Sequence, residues 1–153
     1  MVTFERDPLI LINDLARLMR TRFDQQARRY GMTRAQWIIL LRLQRQPGLS
    51  QNELAQVCEV EPITVGRLID RLEAHGLVQR CADPDDRRIR RLKLLPAATP
   101  LLAEIERQIQ GMREHLTNGL NANTLEDLAS TLLRVKENLT TSAAGEPAAA
   151  AGE

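Results

Sequence analysis

Aromatic residues are scarce: one Trp, one Tyr and two Phe among 153 residues, 3% of the chain. A hydrophobic fraction of 43% must then build its core from aliphatic side chains, which suits a mainly helical protein with a small sheet. Cysteine and histidine are equally sparse, at two each. Cys58 and Cys81 read as ordinary thiols, and His75 and His115 lack the clustered partners that define a metal site. No nucleophile stands with its base and no glycine loop is built to cradle phosphate, so no catalytic residue, metal or cofactor is expected. Long apolar runs are missing too, and Met1–Asp7 lacks the pattern of a signal peptide, so the expected protein is soluble and cytoplasmic, with no membrane partner.

A large net charge is also lacking, since the formal value is only +1. It is unevenly spread. Residues 1–33 carry six basic and four acidic residues, 34–93 eleven and eight, and 94–153 four and eight, giving +2, +3 and −4. The excess of positive charge lies in the middle of the chain, where a polyanion would be met.

That middle holds the most informative stretch. Pro62 suits a first helical position, and Gly76 a left-handed residue just past a helix end. Between them Val65, Leu68, Ile69 and Leu72 make one apolar face. Ile63, Arg67 and Asp70 point the other way, with Thr64 and Arg71 on one flank. Gly66 costs about 1 kcal/mol relative to Ala in a helix; close approach of a DNA groove would account for it. From Leu77 the period becomes alternating. Leu77–Cys81 reads as a strand, Asp83-Pro-Asp-Asp86 as a turn, and the residues after it as a returning strand. There Arg90, Leu92 and Leu94 are expected on the core side, and Ile89, Arg91 and Lys93 on a basic side. Arg87 and Arg88 mark the hairpin tip.

Upstream, Asp7-Pro8 opens a first helix, whose stripe is Ile12, Leu15, Ala16, Met19, Phe23, Ala27 and Tyr30 and which ends at Gly31. Thr33-Arg-Ala-Gln36 and Ser50-Gln-Asn-Glu53 have capping-box spacing and start the next two helices. A short helix, a tight turn at Cys58-Glu-Val60 and a longer helix follow in helix-turn-helix order. Downstream, Ala98, Leu102, Ile105, Ile109, Met112 and Leu116 alternate steps of four and three, and Leu125, Leu128, Leu132, Val135 and Leu139 form a second seam. Two such seams and the apolar Leu9–Ile12 segment point to a homodimer made by the chain ends. The stretch from Thr141 has no core-forming pattern and is expected to be disordered. The fold class expected is thus mainly α with a small β-hairpin: an N-terminal dimerisation helix over 1–32, a winged helix-turn-helix over 33–95, C-terminal dimerisation helices over 96–140, and a tail over 141–153.

Leu15-Ala-Arg-Leu18, Ser50-Gln-Asn-Glu-Leu-Ala55, Leu68-Ile-Asp-Arg-Leu-Glu-Ala-His-Gly-Leu-Val78 and Asp83-Pro-Asp-Asp-Arg-Arg88 together resemble MarR-type transcriptional regulators of the SlyA-like branch. The resemblance runs from about Leu9 to Leu139. It implies a dimer on pseudo-palindromic double-stranded DNA, usually a repressor and sometimes released by a small phenolic or aromatic effector. It also implies that Pro62 to Arg67 enter a major groove and that Arg87 or Arg88 enters a minor groove. The family's peroxide-sensing cysteine lies in the N-terminal helix, and this chain has none before Cys58. Where the family commonly has Leu-Thr and a glycine after the wing, this chain reads Leu94-Leu-Pro-Ala-Ala98.

The DNA-contact set expected is Ser50, Gln51, Pro62, Ile63, Thr64, Gly66, Arg67, Arg71, Arg87, Arg88 and Arg91. Met19, Phe23, Trp37 and Leu41 are candidates for an effector cavity, with ordinary core packing as the plainer reading. A rival from another class is a winged-helix protein–protein interaction module, whose wing arginines meet acidic protein instead of phosphate.

Overall fold

The computed structural model describes residues 4–143. After a short 3-10 turn at Phe4–Arg6 the chain forms α1 (Pro8–Arg29), α2 (Arg34–Arg45), α3 (Gln51–Cys58), α4 (Pro62–Ala74), β1 (Val78–Ala82), β2 (Arg90–Leu94), α5 (Ala98–Leu116) and α6 (Ala122–Ala143). This is a winged helix-turn-helix with additional helices at both ends. None of these helices is long and apolar enough to cross a membrane.

Helix starts follow local chemistry. The Asp7 side chain accepts from Leu9 N at 2.8 Å, with Pro8 in the first turn. Both capping boxes close: Thr33 with Gln36 ahead of α2, and Ser50 with Glu53 ahead of α3. Such a cap is worth about 1 kcal/mol. The turn between α3 and α4 is made by Glu59 at φ 54°, in the left-handed region that favours glycine. Gly76, at φ 68°, releases the chain from α4 into the hairpin.

The strands pair antiparallel with Val78 opposite Leu94, Arg80 opposite Leu92 and Ala82 opposite Arg90. Leu95 N then bonds to Leu77 O at 2.9 Å, and the divergent Leu94–Ala98 segment turns directly into α5.

The chain divides into two compact units, Met1–Ile109 and Gln110–Glu153. The core of the first comprises Trp37, Leu40 and Leu43 of α2, Leu54 of α3, Val65, Ile69 and Leu72 of α4, Val78 and Leu92 of the hairpin, and Ala98, Leu102 and Ile105 of α5. The first half of the seam read on α5 is therefore consumed inside a single chain. Its spacing fits a helix packed on another, and the partner is intramolecular. On α1 only Ala27 is buried; Leu9, Leu15 and Leu18 are each more than half exposed. In the second unit Leu128 and Leu132 of α6 are exposed, and Leu125 and Val135 are half-buried. Helix α6 continues through 141–143, since nothing in Thr141-Ser-Ala143 breaks a helix; the rest of the stretch read as a tail lies outside the described residues.

Candidate nucleic-acid interface

Helix α4 buries one face and presents the other. Val65, Ile69 and Leu72 are fully buried, whereas Pro62, Ile63, Thr64, Arg67 and Arg71 are exposed, Ile63 by 68%. No ion-pair partner for Arg67 or Arg71 is found among the described residues. Two long cations beside an apolar tip can engage acceptors and methyl groups on base edges without first giving up an internal pair.

The wing is organised by Asp83, which is only 8% exposed. Its Oδ1 accepts from the backbone N–H groups of Asp85 at 2.8 Å and Asp86 at 3.0 Å, fixing the turn, and its Oδ2 accepts from Arg91 Nε at 2.6 Å. Arg91 Nη1 also reaches Glu53 Oε2 at 2.8 Å and the Gly48 carbonyl at 3.3 Å. The Arg91 guanidinium and the two turn amides hold the Asp83 carboxyl below the usual carboxylate range. Glu53 is lowered as well, by the Ser50 backbone N–H first, then by its hydroxyl and by Arg91.

This geometry corrects several expectations. Arg91, expected to reach phosphate, is tied to Asp83 and Glu53 beneath the wing. Arg90, expected to face inward with Leu92, is exposed, because Arg90–Ala82 is the last pair of the ladder and the core ends at Leu92. Ser50, expected to touch DNA, is buried, and its hydroxyl accepts from Glu53 N at 3.2 Å as a cap. Gly66 is approached from within the chain: a Cβ there would lie 3.0 Å from Gln51 Nε2. Gln51 is accordingly turned toward α4 and accepts from Arg80 Nη2 at 3.1 Å.

Arg87 and Arg88 are both exposed at the hairpin tip. Arg88 is 91% exposed yet paired with Asp86, its Nε and Nη2 each 3.2 Å from a carboxylate oxygen. That arginine holds the Asp86 carboxyl low. Between the start of α3 and the wing lies a groove of about 280 Å³ lined by Gln51, Asn52, Arg88 and Arg90. Asn52 and Arg90 line this groove but stand outside the contact set expected from sequence. The signal for Arg90 was the short apolar run of β2, in which Leu92 and Leu94 alone satisfy the core.

Met19, Phe23, Trp37 and Leu41 line one cavity of about 410 Å³ in the first unit, together with Arg20 and Arg34. Trp37 is 2% exposed, and its indole N–H has no hydrogen-bond partner among the described residues. Arg34 is paired with Asp24 at 3.1 Å. Of these four residues only Trp37 belongs to the buried core; Met19 is 39% exposed. Burial pushes the Cys58 thiol up, away from the thiolate form that reacts with oxidants. Among the described residues no group of three His, Cys, Asp or Glu could hold a metal ion.

The family model described as MarR family matches residues 30–89. Solved structures extend the likeness over nearly the whole chain. The transcriptional regulator PA3341 is 35% identical, over 86% of this chain and 96% of its own, with a TM-score of 0.74. The transcriptional regulator SlyA is 26% identical, over 89% and 96%, with a TM-score of 0.77. MepR of S. aureus, solved as a DNA complex, shares the fold at 23% identity over 90% and 99%, with a TM-score of 0.77.

Proposed function

The chain belongs to the MarR family of winged-helix, DNA-binding transcriptional regulators, and we propose that it binds pseudo-palindromic operators as a homodimer, acting as a repressor that small aromatic ligands release. The likeness spans several members of the family without singling out the SlyA-like branch.

The observation that carries the DNA reading is the pairing state of the arginines. Arg67, Arg71 and Arg87 are exposed without ion pairs among the described residues, whereas Arg80 and Arg91, a few residues away, are committed to carboxylates. Cations left free along one helix face and a hairpin suit a polyanion whose charges repeat regularly. In this reading Pro62, Ile63, Thr64, Arg67 and Arg71 enter a major groove. Arg87 and Arg88 reach a minor groove, and Asn52 and Arg90 hold the phosphates between them. Repression follows where the operator overlaps a promoter.

The homodimer rests on exposed leucines. Leu9, Leu15 and Leu18 of α1, and Leu128 and Leu132 of α6, leave apolar stripes that a second copy would cover. Two recognition helices would then meet half-sites about 10–10.5 bp apart, or a multiple of that. In this arrangement 33–95 read DNA, and 1–32 and 96–140 serve dimerisation except for the Ala98, Leu102 and Ile105 face already buried within one chain.

Effector release rests on the 410 Å³ cavity. Its apolar wall and Arg20 suit an aromatic ring bearing a carboxylate. A ligand can act only by binding better to the dimer whose helices are wrongly spaced. A promoter–reporter fusion placed downstream of the gene's own upstream DNA tests the repressor role. Expression should rise when the regulator is deleted and when an aromatic acid is supplied; a fall on deletion would make it an activator.

A further inference from the structure

Arg80, in the middle of β1, ties its strand to two helices at once. Its Nη2 donates to the Gly66 carbonyl of α4 at 3.1 Å and to Gln51 Oε1 of α3 at 3.1 Å, while Nε reaches the same Gln51 oxygen at 3.3 Å. Nη1 pairs with Asp70 Oδ1 at 2.8 Å and with Glu73 Oε2, both on α4. The Arg80 backbone N–H completes the set, donating to Glu73 Oε1 at 2.7 Å. The side chain is only 22% exposed.

A guanidinium fork is planar, and its donors diverge at fixed angles. Every nitrogen of this fork is engaged, so sliding α4 along α3, or tilting β1 away from α4, breaks several bonds together. The Gly66 position completes the fit. A methyl there would sit 3.0 Å from Gln51 Nε2, so the amide that accepts from Arg80 would have to give by a few tenths of an ångström. Gln51 and Gly66, which sequence alone assigns to DNA contact, are thus bound into the frame behind the reading face.

We propose that Arg80 is the positioning residue of the DNA-binding lobe: it fixes the recognition helix α4 against α3 and the wing without touching DNA itself. The proposal rests on the DNA reading above and adds to it the device that sets the geometry between helix and wing. Specific binding, which needs helix and wing in register with two grooves, depends on that device; non-specific phosphate attraction does not.

Arg80→Lys keeps the charge and loses the fork, and Arg80→Met loses both. The purified variants are to be titrated with operator and with unrelated duplex over a salt series. Both should lose about tenfold or more on the operator, the scale of one base contact, with wild-type affinity for unrelated duplex and a wild-type salt slope. A slope lower by about 0.9 in Arg80→Met, with operator and unrelated DNA weakened alike and affinity kept in Arg80→Lys, would make Arg80 a phosphate contact and overturn the proposal. A stability cycle tests the network without DNA. Alanine is a better helix former than glycine, so Gly66→Ala should raise the melting temperature in a Gln51→Ala background, and raise it less or lower it in the wild type. Equal shifts in both backgrounds would overturn the network even with operator binding intact. A wild-type protein that binds no duplex would remove the DNA reading, and with it the positioning role, whatever the cycle shows.

Discussion

Asp83 and Arg91 close the base of the wing on each other: Asp83 Oδ2 lies 2.6 Å from Arg91 Nε, with the carboxylate buried under its own turn. The same aspartate holds the amides of Asp85 and Asp86, so one side chain sets both the shape of the turn and the direction of Arg91. Because its folded pKa is depressed, its contribution is present above the unfolded aspartate value and lost as pH falls through the folded one. The wing should therefore loosen only on the acid side of about pH 4. Amide shifts of Asp85 and Asp86 followed by NMR should titrate there. In Asp83→Asn, which keeps the amide acceptor, the Asp83 step of that titration should be lost while the steps of the neighbouring carboxyls remain; an Asp83 midpoint at or above the ordinary aspartate value would contradict the pairing.

Helix and wing should separate by the way they respond to salt and sequence. Arg67→Ala is expected to cost roughly 1–3 kcal/mol on the operator and to relax base preference. Arg87→Ala and Arg90→Ala should each reduce the slope of log K against log salt by about 0.9, with the Arg87 loss greatest at sites with A·T-rich flanks. Asp86→Asn should tighten binding, since it releases Arg88 from its present partner while keeping the acceptor for the Arg88 N–H. Wild-type slopes in all of these variants would move the interface elsewhere and favour an acidic protein partner.

The dimer can be tested on residues that the single chain does not need. Leu15, Leu128 and Leu132 are 53%, 47% and 44% exposed, and covering each leucine fully is worth at most about 1.5–3 kcal/mol. Leu15→Glu, Leu128→Glu and Leu132→Glu should yield folded monomers by sedimentation, because a buried unpaired carboxylate is costly. Ile105→Glu, in the core, should unfold the chain instead. A stable wild-type monomer would refute the assembly.

Aromatic acids should quench or shift Trp37 fluorescence and weaken operator binding together, with Arg20→Ala reducing both responses. A tenfold weakening corresponds to about 1.4 kcal/mol of differential affinity between the two dimer states. Fluorescence and operator affinity that both stay constant across a panel of such acids would leave the cavity without a regulatory role.

Element ends were legible in the sequence because they are local: Asp7-Pro8, the Thr33 and Ser50 boxes, Pro62 and Gly76 each act within a few residues. That Met19, Phe23, Trp37 and Leu41 lie together has a similar local basis, since Met19 with Phe23 and Trp37 with Leu41 repeat at one-turn spacing on α1 and α2. What alternation could not convey was the end of the core. It placed Arg90 inside and Arg91 outside, whereas Leu92 ends the buried run and Arg91 finds Glu53, 38 residues away. Heptad spacing on α5 was equally silent about its partner, because an intrachain core and a seam between chains obey the same period. Arg80 escaped notice altogether: its contacts converge from α3 and α4, and no local pattern marks them.

The most direct test is selection of bound sequences from a random duplex library by the purified protein, followed by titration of the winning site between about 50 and 200 mM salt. The account predicts an inverted repeat with half-sites about 10–10.5 bp apart or a multiple of it, and an affinity falling by about 10³–10⁵ over that range, as roughly 6–10 phosphate contacts require. No enriched sequence, or an affinity indifferent to salt, would contradict it.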